Sequence, residues 1–383
     1  MLIMLLIMSI LNLYNIYSDY SKNVHNEKNY YKAYFEMYDK VSGSWNKETI
    51  DYVVSEYERT KSIIDSGDFS TEPNQPNTYT GYIFGDYGLF EKIKSEMEMM
   101  YRYNDKSAEI SAKAKENEDF YKLKNNQYLS KTNTKIQKSF QNREIEAFYD
   151  TWGMTEYFKY DFSTLMILII IIPLLSPVFA KEHETEMYSL LKITYNFKKL
   201  SICKMIAGAM AVFIVSILFL AMDLGTFTFL YHIHGLSQPI YSLPDYLYTP
   251  LTLKISDYII LNSIIKIAGF MILGEICLLI SSAVKNEVIP FIFSFIITLF
   301  LVIADAFADN YIIMSMNPVS LFSFGNQLKD FNFLRIMNTP VYSFWFPIIS
   351  ALLEFSVLTF AVVVITKLKS TTHNNSKRYK NEI

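Results

Sequence analysis

Apolar and polar positions segregate along this chain on the scale of whole helices. Apolar stretches occupy 162–180, 205–230, 258–281, 288–304 and 344–365, and a shorter one occupies 1–17. A helix rises about 1.5 Å per residue, so roughly 20 residues cross a hydrocarbon core about 30 Å thick. The five longer stretches are predicted membrane helices. Residues 18–161 are polar by contrast, rich in Lys, Glu, Asn and Tyr. The pattern divides the chain into a first helix (1–17), a water-soluble module (18–161), a five-helix membrane module (162–366) and a polar tail (367–383).

Within the polar module the apolar positions follow a helical period. Ile50, Val53, Val54, Tyr57 and Ile64 recur behind Asn46, which has the chemistry of an N-cap. Leu89, Ile93, Met97, Met100 and Tyr101 form a second stripe, and 65–67 and 73–76 read as turns. From Asp105 to Arg143 apolar residues are sparse, which predicts a long solvated helix or one that needs a partner. The expected fold is an all-α polytopic membrane protein: six transmembrane helices with a large helical extracytoplasmic domain between helices 1 and 2.

Charge orients the helices. Lys181, Lys192, Lys198, Lys199, Lys204, Lys285, Lys367, Lys369, Lys377, Arg378 and Lys380 occupy alternate connections, while the opposite short loops hold only Lys254, Lys329 and Arg335. By the positive-inside rule, 181–204, 282–287 and 367–383 face the cytoplasm and 18–161 lies outside. Tyr157, Phe158, Tyr160, Tyr231, Tyr258, Tyr342, Phe344 and Trp345 then mark the outer interface. As a signal peptide, 1–17 would lack a basic leading region and a small-x-small site before Ser18. A first transmembrane helix is therefore expected, with a truncated or misassigned start and a cytoplasmic N-terminus.

Composition adds little. A net charge of −3 gives no basis for a nucleic-acid partner. The two cysteines, Cys203 and Cys277, lie outside the polar module, which must fold without disulfides. Heavy use of Ile, Lys, Asn and Tyr points to an AT-rich bacterial genome.

Candidate chemistry concentrates in the loop 179–204. Glu182, Glu184 and Glu186 form an acidic turn, 187–193 is amphipathic, and Lys198 and Lys199 form a basic turn. Acid at the start and base at the end suit the dipole of a helix lying on the membrane surface. Such a helix either docks on something below or simply rides the interface.

These residues resemble the permease subunits of the ABC-2 type family of ATP-binding-cassette transporters. The likeness rests on Phe179, Glu182, Leu190, Leu191, Thr194, Lys198, Lys199 and Lys204, and on Asn317-Pro318-Val319-Ser320-Leu321-Phe322 between the fifth and sixth spans. In architecture it extends over 1–370. The chain departs from the family at Glu186, where Gly is frequent, at Asn196-Phe197, where Gly-Arg is frequent, and in lacking a cytoplasmic helix before the first span. The resemblance implies that 181–204 couples to a separate ABC ATPase subunit, which would use ATP and Mg. It also implies a dimer with a second copy or a homologous permease, and short re-entrant helices around 317–322. The chain itself carries no G-x-x-x-x-G-K-[ST] motif and is not expected to be an enzyme.

Five charges fall within or near the spans: Asp223, Lys266, Glu275, Asp305 and Glu354. Asp223, Glu275 and Asp305 lie within about two turns of a predicted helix end, where water or snorkelling reaches them. Lys266 and Glu354 lie deeper, where a charge calls for a partner or a wet cavity, and their matched depth makes a Lys266–Glu354 pair geometrically possible. These charges read as a polar lining for a substrate path, as a structural interhelical pair, or as the mark of a misplaced span boundary. His183-Glu184-Thr185-Glu186-Met187 fails as a zinc-protease motif at its second His position, and His232 and His234 lack a third ligand. A competing functional class is a membrane sensor or immunity protein whose outer domain binds a peptide or envelope component. An intramembrane hydrolase would need a catalytic dyad that the sequence does not display.

Overall fold

The computed structural model describes residues 1–67, 75, 77–185, 187, 191, 197–307 and 317–380, without the side chains of 26, 197–198 and 368–380. It is mostly helical. In chain order the elements are α1 (Leu2–Asn26), α2 (Lys28–Val41), β1 (Gly43–Ser44), α3 (Lys47–Ser66), α4 (Ile83–Leu123), α5 (Gln127–Phe140) and β2 (Ala147–Phe148). There follow α6 (Trp152–Lys159), α7 (Phe162–Leu175), α8 (Pro177–Glu184), α9 (Phe197–Tyr231), α10 (Ile255–Ala283) and α11 (Val288–Ala306). The chain closes with α12 (Phe324–Gln327), β3 (Phe333–Ile336), β4 (Thr339–Tyr342) and α13 (Trp345–Lys380).

Six helices among the described residues are long and apolar enough to cross a membrane: Leu2–His25, Trp152–Glu184, Lys199–Tyr231, Ile255–Ala283, Val288–Ala306 and Trp345–Lys367. Their boundaries correct the sequence reading in three places. The first helix does not stop at 17 but runs on through its polar turns to Asn26. The second span breaks after Leu175, where Pro177 opens a new short helix. The last helix passes its apolar limit without interruption and continues to Lys380, so the tail is helical in its backbone.

The polar module follows its sequence pattern closely. Asn46 accepts a hydrogen bond from the Glu48 N–H at 3.0 Å, and Gly67 closes α3 in the left-handed conformation at φ 70°. The sparse stretch 105–143 is resolved by pairing: α4, roughly 60 Å long at 1.5 Å per residue, folds back through Asn125 onto α5. The proposed turn at 73–76 lies almost wholly outside the described residues. Tyr34, Leu89, Phe90, Ile93 and Met100 fill the core of this module. A two-residue β1–β2 pairing, Gly43 opposite Phe148, joins its ends.

Below the module, α7 is the centre of the apolar bundle. Ile167, Ile170, Ile171 and Leu175 are buried against Val212, Phe219, Phe270, Leu273 and Leu278. Gly274 sits where an added Cβ would meet the Leu175 and Val212 methyls at 3.1 Å, so α7, α9 and α10 pack closely around it. The segment Pro318–Leu321 forms one 3-10 turn against Gly269, with the Phe322 ring tilted against Phe270 at 4.4 Å. By contrast α11 and the apolar part of α13 are only 17% buried, and their Phe, Ile and Leu side chains point outward.

Candidate functional site

Three polar constellations interrupt the apolar bundle, one at each end and one on its side. At the end formed by the 181–204 loop, Pro177 starts α8 and redirects the chain across the base of α10. The Phe179 and Ala180 N–H groups donate to Ser281 Oγ at 3.0 and 3.2 Å. Lys204, at the start of α9, pairs with the Glu182 carboxylate, donates to the Val178 carbonyl at 3.0 Å and lies over the Phe179 ring. Glu184 Oε2 accepts from the Glu287 N–H at 2.7 Å, and Lys181 stands 3.9 Å from Glu287. The short helix is thus clamped to α9, to α10 and to the turn into α11.

This clamp sorts the loop residues. Glu182 and Lys204 are only 20% and 17% exposed at their side chains, so Glu182 is spoken for internally. Glu184, Lys181 and Lys199 are exposed, and Leu191 is half-buried. Glu186, Leu190 and the Lys198 side chain lie outside the described residues.

At the module end, Asn12 of α1 is fully buried and donates to Asp223 Oδ1 at 2.6 Å. Its own Oδ1 accepts from the Tyr160 hydroxyl at 2.8 Å, and Ser163 lies beside Asp223. Lys266 reaches toward the same region: its Nζ stands 3.3 Å from Asp161 Oδ1. The Lys266–Glu354 pair that matched depth allowed does not form, since Lys266 pairs with Asp161. The lysine stem snorkels toward the polar boundary, where Asp161 precedes the first apolar residue of α7. The sequence reading missed Asn12 and Asp161 and placed Tyr160 only as an interface residue. Asn12 carried a signal, as an amide within an otherwise apolar stretch.

The other three charges have separate surroundings. Glu275 is 4% exposed and its Oε2 has no hydrogen-bond partner among the described residues. Asp305 lies half-buried in the last turn of α11. Glu354 lines a groove of about 380 Å³ on the side of the bundle, with Ile276, Leu301, Pro318, Leu353, Val357 and Leu358.

An aromatic junction ties the module to the bundle. Trp152 stacks on Tyr31 at 5.1 Å and meets Tyr231 edge-on at 4.7 Å. His232 lies against the Phe35 ring, and His234 is 3.6 Å from Asp39. Tyr34 and Tyr38 donate to Asp150 and Glu96 at 2.6 and 2.7 Å. Burial pushes both carboxyls above their ordinary range, against the opposing pull of these hydrogen bonds and of Lys92. A carboxyl with a raised folded-state pKa binds its proton more tightly when folded, so stability falls as pH climbs above the ordinary value. For Glu96 that value is 4.5. Melts of wild type and Glu96→Gln, followed by tryptophan emission from pH 4.5 upward, should diverge, with wild type losing more stability. Parallel curves would remove Glu96 from this account.

No family model, curated protein or solved structure matches this chain.

Proposed function

We propose that this chain is the membrane-spanning permease subunit of an ABC exporter, coupling ATP hydrolysis by a separate ATPase subunit to transport across the cytoplasmic membrane. ATP and Mg belong to that partner. In this reading 181–204, 282–287 and 367–383 face the cytoplasm, 18–161 lies outside, and two permease chains work together. The observation that supports it most is the α8 clamp. A coupling element must pass a push to several spans at once, and α8 is bonded to α9, to α10 and to the entry of α11. The six apolar helices are consistent with a membrane-spanning subunit.

The test is to purify the tagged, full-length protein from its own host in mild detergent and identify its companions. A stoichiometric P-loop ATPase is expected. Glu184→Gln, which keeps an acceptor for the Glu287 N–H, combined with Glu186→Lys should release it while the permease keeps its elution profile. Glu182→Lys should release it too, but by breaking the clamp, and adding Lys204→Glu should restore it. A chain that emerges alone sinks the proposal.

A second reading, a membrane sensor or immunity protein, is favoured by an open groove of about 590 Å³ between the polar module and the connection before α10, lined by Arg102, Tyr103, Lys106, Glu109 and Tyr248. A co-purifying kinase or peptide in place of the ATPase would select it.

A further inference from the structure

The groove at Glu354 bears on the substrate of the proposed transporter, and its assignment rests on that reading. Glu354 is the tenth residue of α13, about 14 Å along the helix from Trp345. Aliphatic side chains of α10, α11 and α13 surround it, and Pro318 closes one wall. Among the described residues no hydrogen bond or counter-charge reaches its carboxylate. Residues 308–316, which lie outside the described residues, contain no Lys, Arg or His in sequence.

A carboxylate at this depth in a bilayer is costly unless a partner or water meets it. Among the described residues, the spans of a second copy have no free cation to offer here. The basic residue deepest in any candidate span is Lys266, which is buried and held by Asp161. No described residue of the chain completes this charge, which leaves a partner from outside the chain as its counter-ion. The groove opens on the side where α11 and α13 turn their apolar residues outward, so that partner arrives through lipid and carries its own apolar shell. Its volume falls in the range of about 300–1,000 Å³ typical of sites for drug-sized molecules.

We propose that this groove binds a lipophilic organic monocation entering from the bilayer, with Glu354 as its counter-ion. The apolar walls supply affinity without selecting shape, and the single carboxylate selects sign.

The experiment uses the full-length chain in phosphatidylcholine nanodiscs, without any ATPase, and measures equilibrium binding of tetraphenylphosphonium and of neutral triphenylphosphine oxide. Wild type should bind the cation, and Glu354→Gln should weaken it by about tenfold or more. The neutral probe should bind both proteins alike. Val357→Trp, which fills the groove but keeps the charge, should also lose the cation. No cation binding by wild type would overturn the proposal, as would equal binding by Glu354→Gln. So would a dimer that Glu354→Gln dissociates, since the groove would then hold a second copy. Because no ATPase is present, failure here leaves the co-purification result standing, and failure there leaves this one standing.

Discussion

Replacing Arg143 with alanine is expected to lower the stability of the polar module by about 3 kcal/mol or more, because charged hydrogen bonds to buried groups are lost together. Arg143 is 4% exposed. Its guanidinium donates to the Ser139 carbonyl at 2.5 Å, the Tyr103 hydroxyl at 3.0 Å and the Thr249 carbonyl at 2.7 Å. It lies between the rings of Phe140 and Tyr241, at 4.3 and 4.9 Å. One side chain thus ties α4, α5 and the connection before α10 together. No carboxylate is among its described hydrogen-bond partners, so removal leaves neutral acceptors unpaired rather than a stranded charge. Trp45 and Trp152 both sit in or beside the module, and their emission reports its melting. A drop of roughly 6–12 °C is expected for a unit of this size. A change below about 2 °C would mean that water replaces the guanidinium at little cost.

The second large effect is predicted at Asp223. Among the described side chains of α1, only Asn12 and Ile16 are fully buried, so the Asn12–Asp223 hydrogen bond is a principal fastening of that helix. Asp223→Leu strands the Asn12 amide in an apolar setting and should cost about 1–3 kcal/mol. Asn12→Leu with Asp223→Leu should recover most of the loss, since replacing both partners by apolar groups removes the unpaired amide. Tyr160, half-buried, can turn to water. Thermal melts of the three proteins in one detergent decide this. A double variant no more stable than the single one would show that Asp223 acts through groups other than Asn12.

The loop residues illustrate how a sequence resemblance and a structure divide the work. Glu182, Glu184 and Glu186 read alike in the sequence, as one acidic turn available for docking. Their neighbours in space separate the first two: Lys204 neutralises Glu182, whereas Glu184 stays at the surface and caps the turn into α11. The clamp residue Ser281 is an ordinary small residue near the end of an apolar stretch, and only the fold brings it to the α8 backbone. Lys266 shows the same limit in reverse. Matched depth along two helices suggested Glu354 as its partner, but depth says nothing of the direction a side chain faces, and Asp161 holds it instead.

The sequence by itself determined the six apolar helices and the helical polar module, because both follow from local rules: the cost of unpaired backbone in lipid and the 3.6-residue period of a buried face. It also determined the α3 N-cap at Asn46 and the turn ending at Gly67, whose bonding partners lie within four residues. Only the tertiary structure decided which charges meet. Helix ends drifted from the apolar limits because backbone hydrogen bonding continues past the last apolar residue, as in α1 and α13. The Asn12–Asp223 bond, the Lys204–Glu182 clamp and the open groove at Glu354 depend on the rotation of each helix about its axis. Packing across the bundle sets that rotation, and no local pattern records it.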